Sequence, residues 1–397
     1  MLDGAADGIS SPAETRHAAG SPDPCRPGVG NLIRGLRPSP APCPSTQRDC
    51  DRLESRRPAT EEGAIVTAAG QRPHILITAP FSEGAVAELR RRFDVTVLPP
   101  SRAGGPLADR VPAAVLASTE VLVTELDEVD DATLDLAPGL RLVVSCRANP
   151  VNVDLAACAR RGIPVATTPG RNAEVTADFT FALLLATVRH LSSAERWLRA
   201  GNWSESDVFE SYEKFTGIGL GGRMLGILGG GAVGSRVLRR ARAFGMTVKV
   251  YDPFLPADAF GEEADVVDLD EVLSTADIVS VHVPLTPDTE GLLGRRELAL
   301  LRPDAYLINA GRAAIIDEGA LREVLREKRI AGAGFDVFHR EPLSPDDELF
   351  GMDHVTLTPH IAGSSADVVV EHSRIAVEAI TAWGDGRPIP GLAAAPA

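Results

Sequence analysis

Three side chains in the second half of the chain, Arg312, Glu341 and His360, could together do chemistry on a carbonyl. Each follows an apolar run that reads as a β-strand: Leu307-Ile-Asn-Ala-Gly, Gly334-Phe-Asp-Val-Phe-His-Arg and Thr356-Leu-Thr-Pro respectively. In an open α/β sheet, ligands bind beyond the carboxyl ends of the strands, which is where these residues fall. A planar guanidinium can grip a carboxylate and polarise the carbonyl next to it. Hydride arriving at C2 of a 2-keto acid creates an alkoxide that needs a proton, and an imidazole titrates in the right range to supply it. A carboxylate beside the imidazole favours its charged form. The set therefore fits 2-keto acid reduction, with Arg312 as electrostatic catalyst, His360 as acid/base and Glu341 as the group that tunes His360. Taken singly, the arginine reads as a solvated residue, the histidine as structural, and Glu341 before Pro342 as a turn residue. His282, after the run Ile278-Val-Ser-Val, competes for the acid/base role on position alone.

A second constellation points to a dinucleotide. Gly229, Gly231 and Gly234 form G-x-G-x-x-G between an apolar strand and a helical stretch from Ala232 to Phe244. In that context the first glycine allows a tight turn, the second lets backbone approach a pyrophosphate, and the third lets helix and strand pack closely. The helix N-terminus adds free N–H donors and a partial positive charge. The next strand, Thr247-Val-Lys-Val-Tyr, ends at Asp252, 18 residues after Gly234, where an acid accepts from ribose hydroxyls. Asp252-Pro253-Phe254 offers no arginine for a 2′-phosphate, so NAD is expected rather than NADP. FAD and an unliganded glycine turn are the weaker alternatives.

The elements that must position these groups alternate from His74 onward. Strands are expected at His74-Ile-Leu-Ile-Thr-Ala, Val95-Thr-Val-Leu, Val121-Leu-Val-Thr, Leu140-Arg-Leu-Val-Val and Ile163-Pro-Val-Ala, with a helix over Ser82 to Arg92 capped by Ser82. One long apolar helix, Ala173 to Ala200, capped by Asn172, reads as a bridge buried between domains or subunits. About six more strands follow: Leu225 to Leu228, Val248 to Tyr251, Ile278 to Val283, Ala305 to Asn309, Gly332 to Phe335 and Val355 to Thr358. A final helix near Val368 to Trp383 is expected to return to the first domain. Alternating β and α implies parallel sheets covered on both faces. The expected fold class is α/β with two doubly wound parallel-sheet domains, the cofactor domain a Rossmann fold inserted in a flavodoxin-like substrate domain. The divisions are a leader at 1–72, a substrate-binding domain at 73–172 completed by 361–390, and a NAD-binding domain at 173–360.

Composition narrows the partners. The formal charge of −15 argues against nucleic acid and anionic membrane. Residues 1–72 hold nine of the 30 prolines and no aromatic residue, so a disordered leader is expected there. The five cysteines, Cys25, Cys43, Cys50, Cys146 and Cys158, show neither a C-x-x-C pair nor zinc-site spacing. No metal is expected, and a reducing cytoplasm suits the odd count. No secretory signal is visible, and the longest apolar stretch, near Phe179 to Val188, is too short to span a bilayer.

The motifs as a set resemble the D-2-hydroxyacid dehydrogenase family, which includes phosphoglycerate dehydrogenase, glyoxylate/hydroxypyruvate reductase, formate dehydrogenase and D-lactate dehydrogenase. The matching stretches, in the family's order, are Leu225-Gly-Ile-Leu-Gly-Gly-Gly-Ala-Val-Gly, Val250-Tyr-Asp-Pro, Val281-His-Val-Pro-Leu-Thr, Leu307-Ile-Asn-Ala-Gly-Arg, Asp336-Val-Phe-His-Arg-Glu-Pro and Thr358-Pro-His-Ile-Ala-Gly. The resemblance implies Arg312, Glu341 and His360 as the catalytic set, the backbone of Ala232 and Val233 at the pyrophosphate, and Asp252 on the adenosine ribose. It places Val283 and Ala310 along the cofactor cleft and Asp336 on the nicotinamide carboxamide. It also implies a homodimer formed through the cofactor domain. Arg147-Ala148-Asn149 resembles the substrate loop, although that loop is about two residues shorter than in many members and Asn149-Pro150 replaces the usual glycines. Ser204 to Lys214 looks like a small insertion, and the regulatory C-terminal domain of many phosphoglycerate dehydrogenases is not seen. The alternative from another class is a NAD(H)-sensing binding protein of the corepressor type, without turnover.

Overall fold

The computed structural model describes residues 72–394. The expected disordered leader lies outside them, Arg72 apart. Fourteen short strands occur in this span. In chain order they are β1 (His74–Ile77), β2 (Asp94–Val97), β3 (Gly105–Pro106), β4 (Val121–Thr124), β5 (Asp127–Glu128), β6 (Leu142–Ser145) and β7 (Val165–Thr167). Then follow β8 (Met224–Leu228), β9 (Thr247–Tyr251), β10 (Asp265–Val266), β11 (Ile278–Val281), β12 (Tyr306–Asn309), β13 (Gly332–Phe335) and β14 (Val355–Leu357).

Two wholly parallel sheets carry the architecture. The first has the order β2-β1-β4-β6-β7, and the second β10-β9-β8-β11-β12-β13-β14. With the isolated pair β3·β5 set aside, the first order is the flavodoxin-like one, and the second is the Rossmann order with one strand added at the far edge. β10, two residues long, had no counterpart among the expected strands. Fully apolar runs such as Ile75-Leu-Ile and Val121-Leu-Val suit strands buried on both faces. Apolar clusters cover each sheet on both sides.

Helix ends follow their capping residues where those are present. Ser82, Asp130, Asp154, Asp268 and Asp317 each accept from a backbone N–H of the first turn. Asn172 departs from expectation: it precedes the helix, but its side chain makes no capping bond. The long bridge also differs. It breaks into Ala173–Val188 and Leu191–Arg199, with His190 in the left-handed region at φ 54°. The returning segment explains the break, because Ile218 N donates to Val188 O and a Cβ on Gly217 would stand 2.2 Å from that oxygen. The first piece buries Ala177, Phe181, Leu184 and Val188 against the second sheet rather than between domains. Its fit is close: a Cβ on Gly334 of β13 would meet Thr187 Oγ1 at 2.6 Å. The second piece buries nothing.

The last helix, Ala366–Gly384, returns as expected. Ala376, Val377, Ala379 and Ile380 complete the core of the first sheet. The chain thus passes between sheets at 168–172 and again at 358–365. Among the described residues no helix is long and apolar enough to cross a membrane.

Candidate active site

The strand ends of the second sheet bring the expected groups together. Arg312 lies just beyond β12, Glu341 beyond β13 and His360 beyond β14, on three neighbouring strands. His360 Nδ1 and Glu341 Oε2 are 2.7 Å apart. A carboxylate only accepts, so Nδ1 carries the hydrogen and Nε2 is the nitrogen left for a ligand. The ring is half exposed. Glu341 Oε1 accepts from Phe338 N at 3.0 Å, which fixes the carboxylate from its other side. Partial burial pushes the Glu341 carboxyl up, but the His360 and Phe338 hydrogen bonds and the charges of His360 and Arg312 outweigh it and hold the group below the usual range. Arg312 is exposed, and among the described residues its Nη1 donates only to Gly311 O, at 2.8 Å. Asn309 steadies its backbone by donating to Arg312 O at 3.0 Å. An apolar cavity of about 460 Å³, walled by Phe338, Pro342, Leu343, Phe350 and Leu357, adjoins the pair.

His360 is held in a left-handed conformation, φ 54°, which costs about 1–2 kcal/mol for a residue with a Cβ. Asp336 supplies the restraint. Its Oδ1 accepts from Thr358 Oγ1 at 2.7 Å and from Ile361 N at 2.9 Å, and its Oδ2 from Ala362 N at 2.8 Å. The anchor points bracket His360 on both sides. Asp336 itself is fully buried, so the contact visible in the fold is with this loop. His282 follows β11, against the Gly229 turn: its Nε2 pairs with Ser280 Oγ at 2.8 Å rather than with a carboxylate, and burial pushes its pKa down to about 4.

The glycine-rich turn fits a dinucleotide. Gly229 adopts φ 96°, and a Cβ there would meet Val283 N at 2.8 Å. A Cβ on Gly234 would stand 1.9 Å from Gly229 O, so the helix Gly234–Ala243 reaches the strand only because none is present. Gly231 is the opposite case: a Cβ would meet nothing within 4 Å, and Gly231 and Ala232 are exposed. That is open space at a helix N-terminus, where phosphate oxygens are favoured. Val233, at the N-cap position, offers no side-chain cap. Asp252 Oδ2 accepts from Gly230 N at 2.9 Å and Oδ1 from Phe254 N at 3.0 Å, so this acid also shapes the turn. Val283 and Ala310 lie at the ends of β11 and β12, each 7% exposed. On the first sheet, Arg147, Ala148 and Asn149 follow β6. Arg147 is half-buried, while Ala148 and Asn149 are exposed.

The chain is similar to known proteins over most of its length. Residues 181–362 match the model of the D-isomer specific 2-hydroxyacid dehydrogenase, NAD binding domain. The chain is 38% identical over 314 residues to YoaD of Bacillus subtilis, covering 78% of this chain and 90% of that one. It is 34% identical over 325 residues to a glyoxylate reductase of Thermococcus litoralis, covering 81% and 96%. A solved structure of an NADPH-dependent glyoxylate/hydroxypyruvate reductase from Sinorhizobium meliloti superposes with a TM-score of 0.67 at 30% identity, over 81% of this chain and 98% of that one. The chain belongs to the D-isomer specific 2-hydroxyacid dehydrogenase family. It is a NAD-dependent oxidoreductase that interconverts a small D-2-hydroxy acid and its 2-keto acid.

Proposed function

We propose that the chain acts as an NADH-preferring reductase of glyoxylate- or hydroxypyruvate-sized 2-keto acids, with Arg312, Glu341 and His360 as its catalytic residues. The observation that carries this reading is the 2.7 Å His360–Glu341 pair standing beside the Arg312 charge, on the same strand ends as the glycine-rich turn. Relatives named glyoxylate reductase, which match 81% of the chain, support the substrate size.

Gly229, Gly231, Ala232, Val233 and Gly234 would hold the pyrophosphate, Asp252 the adenosine ribose, and Val283, Ala310 and Asp336 the nicotinamide end. When bound, the cofactor supplies or accepts the hydride. Arg312 pairs with the substrate carboxylate and polarises the C2 carbonyl. Backbone N–H groups of Arg147, Ala148 and Asn149 hold the same carboxylate from the other lobe. His360 Nε2 gives a proton to the C2 oxygen as that atom gains negative charge, and the ring is left neutral. Glu341 stabilises the charged ring before transfer and keeps Nε2 aimed. The lobes divide at 73–172 with 361–390 and at 173–360, so the substrate loop and His360 face each other across a cleft.

Leu191, Leu198, Trp203, Phe209 and Tyr212 are each at least half exposed, and this stretch of large apolar surface supports a homodimer. The free, buried thiols of Cys146 and Cys158 suit a reducing cytoplasm. The test is NADH and NADPH oxidation with glyoxylate, hydroxypyruvate and phosphohydroxypyruvate, with sedimentation to report the dimer. Turnover is expected with NADH on the two unphosphorylated acids. NADH binding without turnover on any of them would replace this reading with the cofactor-sensing alternative.

A further inference from the structure

The first sheet reverses its strand order between β1 and β4, so a crevice opens at the carboxyl ends of those two strands. In a doubly wound sheet that crevice is the place for a ligand; here the protein fills it. Glu125 directly follows β4, and Pro80 lies just beyond β1. Arg171 enters from the first crossover between lobes and His372 from the return helix. Arg171 Nη1 donates to Glu125 Oε1 at 2.6 Å and to His372 Nδ1 at 3.0 Å. The His372 ring reaches Pro80 O through Nε2 at 2.7 Å. A guanidinium only donates and a carbonyl only accepts, so the ring is neutral with its hydrogen on Nε2. His372 is 1% exposed and stacks on Phe81, and its neighbour Ser373 accepts from Ser82 N at 3.0 Å. Four distant parts of the chain, at 80–82, 125, 171 and 372–373, are thus tied at one point.

The crossover that carries Arg171 approaches both lobes. Thr168 N donates to Arg147 O at 3.0 Å, so the crossover touches the substrate loop. A Cβ on Gly170 would lie 3.9 Å from the Ala232 Cβ, at the tip of the dinucleotide turn. A Cβ on Gly363 would lie 3.2 Å from Asn172 Nδ2, so the two crossovers also touch each other. We propose that Arg171, gripped by Glu125 and His372, is a positioning residue that sets the approach of the two lobes and so the placement of the substrate loop against His360 and the cofactor turn. This rests on the dehydrogenase reading above, and it adds three residues that contact none of the reacting atoms.

The test compares Arg171→Met, Arg171→Lys and Glu125→Gln with the wild type in steady-state turnover, NADH binding and thermal unfolding. Since a misplacement of about 1 Å can cost about a hundredfold in rate, kcat should fall between about 10- and 100-fold in Arg171→Met. NADH affinity should be retained, because the dinucleotide turn belongs to the other lobe. Arg171→Lys should recover part of the rate, and Glu125→Gln, which keeps shape but not charge, should fall between. Glu125→Gln also answers the question if Arg171→Met fails to fold. Wild-type kcat in a folded Arg171→Met or Glu125→Gln protein, whatever its unfolding temperature, would overturn the proposal. So would a lysine variant no faster than the methionine one, or NADH affinity lost in step with kcat. Wild-type turnover in the same assay separates these outcomes from failure of the dehydrogenase reading.

Discussion

Asp336→Asn is the most informative single change, because Asp336 bonds to neither His360 nor Glu341 and yet its loss should disarm His360. The amide oxygen can replace Oδ1 and keep the bonds from Thr358 Oγ1 and Ile361 N. The amide nitrogen then faces Ala362 N, donor against donor, in a fully buried place. A lost hydrogen bond to a charged group, which leaves two buried donors facing each other unpaired, costs at least about 3 kcal/mol. That exceeds the ~1–2 kcal/mol strain stored in the left-handed backbone of His360, so the loop gains by relaxing to negative φ. Relaxation carries the ring away from Glu341. Steady-state NADH oxidation should then show kcat down by at least about a hundredfold, the ordinary contribution of an acid/base. Thermal unfolding should move down by about 6–12 °C if the lobe behaves as a domain of about 200 residues. NADH titration, run alongside, reports any part Asp336 plays at the nicotinamide. An Asp336→Asn protein that melts with the wild type and turns over at the wild-type rate would show that the three bonds do not hold His360.

Other outcomes follow from the same geometry. His360→Ala should lose turnover by at least about a hundredfold with NADH affinity intact, and a variant keeping more than about a tenth of the rate would refute the acid/base role. Gly231→Ala should unfold at the wild-type temperature, since its Cβ meets nothing, yet bind NADH at least about tenfold more weakly if a pyrophosphate lies there, as titration will show. Gly234→Ala, whose Cβ would collide with Gly229 O, should lose both stability and binding. Burial lowers His282 to about 4, so the unfolded chain binds a proton below pH 6.5 that the folded one refuses. Stability from this residue is complete above 6.5 and is lost as pH falls toward 4, by about 3 kcal/mol over the window. Urea titrations at several pH values should show that loss, and His282→Gln should remove it.

The sequence was most readable where function demands local chemistry. Gly229 to Gly234 and Asp252 announce their turn within one strand–turn–helix unit, and the apolar runs before Arg312, Glu341 and His360 mark strand ends. What escaped depends on partners far along the chain. The break at His190 needs Gly217 and Ile218, which lie beyond two further helices in the chain. Asn172 reads as a cap, but a neighbouring crossover at Gly363 meets its side chain instead. The three bonds by which Asp336 restrains Thr358, Ile361 and Ala362 also carry no sequence signal. Glu125, Arg171 and His372 carried no signal, since spacings of 46 and 201 residues leave no periodic trace. The useful hint lay in burial, which only a fold supplies.

The return of Ala366–Gly384 to the first sheet also has a temporal consequence. The opening strands of that sheet are made early, but the helix that covers one of their faces is synthesised last. At about 5–20 residues per second, the ribosome leaves that apolar face bare for tens of seconds while the whole second sheet is built and can fold. The lobe built on the first sheet is therefore the later of the two to mature. Chains halted before residue 366 should expose Val86, Leu89 and Phe93 to protease and to chaperones, while the dinucleotide lobe beside them is already resistant.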